Sequence, residues 1–170
     1  MYLIEENDLA LAQYTHDDDH DMYLCWQDEQ TQKGYNYVFD QPLERFKKTD
    51  ITRFPFWVTV TDRTLDQRVG VLRLGLDEKY PDLAIWIYPQ HRSKGYGTRA
   101  CRLALKFIFQ HLPYQEVAAG CYCDNEHSLA MLGKVGFIRR PVEDEPEINC
   151  FTGEKTIQLA FGISKAELNG

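Results

Sequence analysis

The sequence predicts an α+β domain: a mixed, mostly antiparallel twisted sheet flanked by helices. Three observations lead there. The 170 residues are 44% apolar and 26% charged, enough to bury a core and unlike a disordered chain. Short β-branched and aromatic runs separated by polar turns fill the middle of the chain. They are preceded by helical patterns and followed by one strand–helix–strand–helix unit.

In chain order, Leu9 to Tyr14 alternates as a first strand. Asp17-Asp18-Asp19 opens a helix through Met22, Leu24, Cys25 and Trp26, where acids complement the helix dipole. Pro42 suits the first position of a second helix over Leu43 to Lys48. Phe56 to Thr61 and Arg68 to Leu74 flank the polar turn Asp62 to Gln67 and read as a hairpin. A third strand, Leu83 to Tyr88, stops at Pro89, which cannot donate to a ladder. From Gly97 to His111, Ala100, Leu103, Ala104, Phe107 and Ile108 recur at helical spacing. Val117 to Cys123 is a strand, and Glu126 to Val135 is a helix closed by Gly136. Two final strands flank Thr152-Gly153. No repeat or linker interrupts the chain, so one domain over residues 1–170 is expected.

Composition narrows the function. A net charge of −7 argues against nucleic-acid binding, which needs clustered Lys and Arg. No apolar run approaches the ~20 residues of a membrane helix, and the N-terminus lacks the features of a signal peptide. The five cysteines are odd in number and have neither disulfide nor zinc spacing, which points to reduced thiols in the cytoplasm. The run His16 to Asp21 reads as a solvated helix start, and no metal is expected. One window runs against the overall charge. His91, Arg92, Lys94, Arg99, Arg102 and Lys106 occur over residues 91 to 106 with no acid, as for one locally held anion.

That window contains the informative segment. A buried strand runs into a loop holding Gly95 and Gly97, and the loop opens a helix. The first amides of a helix lack partners and carry the positive end of its dipole, which suits a pyrophosphate. A dinucleotide fingerprint, Gly95-x-Gly97-x-x-Ala100, fits the same glycines less well. Six residues separate Tyr88 from Gly95, and antiparallel signals precede them.

Arg92-x-x-Gly95-x-Gly97 is followed by Asn125-Glu126-x-Ser128 and by Lys134-x-Gly136-Phe137. This order resembles the GNAT N-acetyltransferase superfamily over most of the chain. The opening helix with Trp26 and Asp28, and the hairpin around Thr152-Gly153, are similar to the branch of ribosomal-protein N-terminal acetyltransferases. The resemblance implies splayed central strands and acetyl-coenzyme A as co-substrate. It also implies direct attack by a primary amine of a small molecule or protein N-terminus in a ternary complex. The residues implied for the coenzyme are Arg92, Ser93, Lys94, Gly95, Tyr96, Gly97 and Thr98 at the pyrophosphate. Asn125 would meet the pantetheine or the helix start, and the backbone N–H of Ile87 or Tyr88 would meet the thioester oxygen.

For proton transfer, Asp82 stands where relatives commonly carry an acid at the strand start, with Glu78 and Asp77 behind it. Many relatives place a Tyr acid seven residues after the Asn. Here that position is Leu132, and Ser128 of the Asn-x-x-Ser motif is the substitute, with Tyr122 and Cys123 as further candidates. The aromatic group Trp26, Tyr35, Tyr37, Phe39, Phe54, Phe56 and Trp57 is read as core, with part lining the acceptor groove. The acidic surface implies a positively charged amine acceptor, and the chain is expected to act as a monomer or homodimer. The competing reading is a non-catalytic acyl-coenzyme A binder or partner-docking module with an intact loop and no acid.

Overall fold

A computed structural model describes residues 1–169. The chain opens with a hairpin, β1 (Tyr2–Glu6) and β2 (Leu9–Gln13), turning through Asn7 in the left-handed region, φ 55°. The sequence reading began at β2. β1 is an exposed edge strand with almost no buried side chain, so it carries no hydrophobic alternation to betray it.

A 3-10 turn, His16–Asp18, leads into α1 (Asp19–Gln27). Its acids are not merely solvated. Asp19 is 2% exposed and accepts the Tyr14 hydroxyl at 2.6 Å and His16 Nδ1 at 2.7 Å. Asp18, 4% exposed, caps Thr15 N–H at 2.9 Å and pairs with Arg68 at 3.2 Å. α2 (Glu29–Tyr35) follows, capped by Asp28, whose side chain accepts the Thr31 N–H at 3.0 Å. This helix was not expected, because its sequence, Glu-Gln-Thr-Gln-Lys-Gly-Tyr, has no apolar stripe. α3 is only Leu43–Phe46, with Pro42 as its N-cap rather than its first residue.

β3 (Trp57–Asp62), β4 (Gln67–Leu74) and β5 (Leu83–Ile87) complete an antiparallel sheet in the order β1-β2-β3-β4-β5. α4 (Tyr96–His111) covers its back. Ala100, Leu103, Ala104 and Ile108 pack there on Leu9, Leu11, Val58, Val60 and Leu72. On the front, Tyr14, Met22, Cys25, Phe46, Trp57, Val71, Trp86 and Tyr88 form a second cluster under α1 to α3.

β6 (Glu116–Tyr122) is followed by α5 (Glu126–Val135), β7 (Ile138–Arg139), β8 (Glu145–Ile148), β9 (Lys155–Ser164) and the short α6 (Lys165–Leu168). β9 is the hub of a second antiparallel sheet and pairs with β6, β7 and β8. β5 and β6 run parallel but meet only at their starts. Asp82 bridges to Ala118, whose N–H donates to Pro81 O at 2.9 Å. Beyond that point the strands separate, and the splay places an unpaired strand edge inside the molecule.

Candidate active site

β5 shows which of its polar groups face the gap. Tyr88 N–H donates to Val69 O at 2.9 Å, so Trp86 and Ala84 likewise turn their backbone groups toward β4. Ile85 and Ile87, one residue out of phase, direct theirs toward β6. The Tyr88 amide is therefore spent on the sheet, and of the two amides named for the thioester oxygen only that of Ile87 faces the gap.

The loop beyond β5 turns through Ser93 (φ 60°) and Gly95 (φ 81°), and α4 starts with no side-chain cap. Its first hydrogen bond is Arg99 N–H to Gly95 O, which leaves the amides of Tyr96, Gly97 and Thr98 without carbonyl partners. Gly97 has a packing reason as well. A Cβ there would lie 2.9 Å from Met131 Sδ of α5. The Tyr96 side chain points inward, its hydroxyl donating to Asp62 at 2.5 Å. That bond, with burial, pushes its pKa up to about 12 and pins the helix start to the end of β3. Only its backbone is left for a ligand.

The basic window is less free than its composition suggests. Arg92 pairs with Asp28 at 2.9 Å and donates to Gln30 at 3.1 Å and Thr31 at 2.7 Å, clamping the loop to α2. Burial works to raise the Asp28 carboxyl, but the Thr31 amide and Arg92 outweigh it and hold it below the usual range. Arg99 pairs with Asp8, and Lys106 with Glu6 at 3.6 Å. Lys94 is exposed and reaches only Gln90 O, at 3.3 Å. Backbone amides, with Lys94 beside them, are the donors of this loop that no carboxylate engages.

α2 lies across the gap. The Tyr35 hydroxyl accepts the Ile85 N–H at 3.0 Å and donates to Ile85 O, occupying the free edge of β5. Burial holds this phenol well above its ordinary pKa, so it stays protonated at neutral pH. Asn36 ends α2 in the left-handed conformation. Its side chain donates to Ile148 O at 2.9 Å and accepts the Cys150 N–H at 2.8 Å, tying α2 to the β8–β9 turn. The far wall holds Tyr122, whose pKa burial and then Glu147 push up to about 12. One carboxyl oxygen of Glu147 is buried with no partner.

Asn125 caps α5, accepting the Ser128 N–H at 3.2 Å, and its amide nitrogen lies 3.6 Å from where a Cβ on Gly34 would be. Asn125 and Ser128 thus sit beside the end of α2. Leu132, at the position of the missing Tyr, is buried in the back core. Asp82 is exposed at the joined end of β5, its carboxylate against Gly75. Ile87 lies five residues further on, about 16 Å away at ~3.3 Å per residue. Sequence reasoning missed Glu147, set in an acidic stretch, and treated Tyr35 as one aromatic among many. Among the described residues, no group of three or more His, Cys, Asp or Glu could hold a metal, and no helix is long and apolar enough to cross a membrane.

The splayed strands, the Ile87 amide facing the gap and the uncapped helix start lie together at this end of β5. No curated protein sequence matches the chain. Solved structures share its fold. A GNAT-family acetyltransferase from Bacillus anthracis is 17% identical, with a TM-score of 0.79 over 98% of this chain and 100% of that one. Spermidine N-acetyltransferase from Vibrio cholerae, in complex with CoA and spermine, is 14% identical, with a TM-score of 0.83 over 97% and 100%. The Salmonella typhimurium acetyl transferase that modifies the N-terminal serine of a ribosomal subunit protein is 11% identical, with a TM-score of 0.75 over 94% and 96%. The acetyltransferase (GNAT) domain profile matches residues 4–138, and the chain belongs to that family.

Proposed function

We propose that this single domain is a cytoplasmic N-acetyltransferase. It passes the acetyl group of acetyl-coenzyme A to a primary amine of a small molecule or protein N-terminus, by direct attack in a ternary complex. The supporting observation is the edge of β5 left open at Ile87, beside an uncapped helix start. The pantetheine pairs along that edge, the amides of residues 93 to 98 hold the pyrophosphate, and Asn125 meets the pantetheine from α5. The Ile87 N–H meets the thioester oxygen, a fixed dipole where negative charge develops. Five free cysteines support a reducing compartment.

The amine must lose a proton and the departing thiolate must gain one. Asp82 is the base the strand start suggests. Glu147 is a second candidate, a half-buried carboxylate close enough to Tyr122 to raise its pKa. Ser128 and Tyr35 are the hydroxyls available to the thiolate. The net charge of −7 draws the protonated amine toward the site.

A thiol-release assay with acetyl-coenzyme A over a panel of amines tests this reading. Release dependent on an amine supports it. Coenzyme binding with no release for any amine would favour a binding module, the reading that the buried Leu132 keeps open.

A further inference from the structure

Arg73 of β4 lies on the front of the sheet, paired in register with Ala84 and so one residue from Ile85. Its guanidinium is held by three rings, with centroids 4.2 Å away for Phe54, 5.1 Å for Trp57 and 5.3 Å for Trp86. Among the described residues no carboxylate forms an ion pair with it, in contrast to Arg63, Arg68, Arg92, Arg99, Arg139 and Arg140. Asp82 influences it from a distance without pairing. Burial lowers its hold on its proton, a cost that an adjacent anion offsets. Two of the enclosing rings add to the imbalance. Trp57 and Trp86 are each 4% exposed, and the indole N–H of each is buried without an acceptor. Buried donors are ordinarily paired, and leaving one unpaired is costly. A five-donor fork and two indole N–H groups in one aromatic cluster, with no acceptor of their own, suit a planar anion such as a carboxylate.

We propose that Arg73 receives the carboxylate of the acceptor, so that the acceptor is a free amino acid or a similar small amine bearing a carboxylate. This rests on the acetyl-transfer reading and narrows it, since a protein N-terminus offers no carboxylate next to its amine. The spacing fits. Ala84, opposite Arg73, lies three residues before Ile87, about 10 Å along the strand at ~3.3 Å per residue, a distance that the long arginine side chain and a small acceptor span together. The aromatic surround suits an apolar side chain. The surface charge attracts the ammonium group, and Arg73 meets the opposite end.

The test compares amino acids with their carboxamides, phenylalanine against phenylalaninamide and methionine against methioninamide, along with a short peptide. In thiol release the acids should exceed the amides and the peptide by about tenfold or more in kcat/KM. Arg73→Gln should collapse that ratio to about one, chiefly through KM, and Arg73→Lys should restore part of it. Tryptophan fluorescence gives a second readout that needs no turnover. The amino acids should change it saturably through Trp57 and Trp86, and the carboxamides should not. Equal kcat/KM for acid and amide, an unchanged ratio in Arg73→Gln, or no saturable fluorescence change would overturn the proposal. Saturable binding of acids without thiol release would uphold the carboxylate site and reject acetyl transfer.

Discussion

The Tyr35 hydroxyl occupies the backbone of Ile85, accepting its N–H at 3.0 Å and donating to its carbonyl. One side chain from α2 thereby stands in for the strand that β6 does not supply. A coenzyme pairing along β5 must share or take this edge. Tyr35→Phe removes the hydroxyl and keeps the ring stacked on Trp86, at a centroid distance of 5.1 Å. We expect a melting temperature lower by several degrees, since two hydrogen bonds are lost, each worth about 1 kcal/mol net. Thiol release should fall by about tenfold or more if the phenol serves the thiolate. Undiminished turnover would leave Tyr35 a structural plug and pass the role to Ser128.

Coenzyme A should raise the melting temperature, since a ligand at a hundredfold excess over Kd stabilises by about 2.7 kcal/mol. Thr98→Glu is the matching control. Three residues after the cap Gly95, a glutamate can fold back onto the Gly95 N–H in capping-box fashion, placing its negative charge at the helix start without harming the helix. The variant should keep the parent's melting temperature and lose most of the shift. A full shift in the variant would move the pyrophosphate elsewhere.

The two carboxylates proposed as base are separable. Glu147→Gln should lower turnover by about a hundredfold near neutral pH, with coenzyme binding intact. Asp82→Asn should cost only a few-fold, because Asp82 lies where the strands are still joined. The reverse ranking would restore Asp82 as the base and require a water chain to link it to the amine.

Arg92 should behave as a clamp and not as a phosphate ligand. Its guanidinium joins the loop to Asp28, Gln30 and Thr31. Arg92→Ala should therefore destabilise the fold by about 1–3 kcal/mol, the cost of breaking a charged hydrogen-bonded contact. Asp28→Asn should reproduce part of that loss. A large drop in coenzyme affinity with no change in stability would instead place Arg92 on the phosphates.

A pH effect should come from the second sheet. Asp144 is held down to about 2 by Arg139, at 2.6 and 2.8 Å, and by the Ala160 N–H. A depressed carboxyl contributes stability above its unfolded value near ~3.9 and loses it as pH falls through the folded one. Between about pH 4 and pH 2 the parent should lose more melting temperature than Asp144→Asn. Parallel curves would show that the pair does not contribute.

Strands β2 to β5, α4, α5 and the loop between β5 and α4 were legible in the sequence, because each is written in local pattern. Val58, Val60, Leu72 and Leu74 alternate, Ala100 to Ile108 repeat at helical spacing, and Gly95 marks a turn that needs positive φ. The family followed from the order of those motifs. β1 and α2 were not legible, since one is exposed and the other polar, and tertiary partners hold both in place. Nor could local pattern show that Arg92 is consumed by Asp28, that Tyr35 reaches Ile85, or that Arg73 has rings around it and no acid. Those relations join residues well separated along the chain, and a one-dimensional pattern carries no information about which distant side chain fills a given space. The sequence determined the sheet, the loop with its positive-φ glycine and the helix that starts after it. Packing between the front helices and the splayed strands decided which side chains line the gap and which charges remain free.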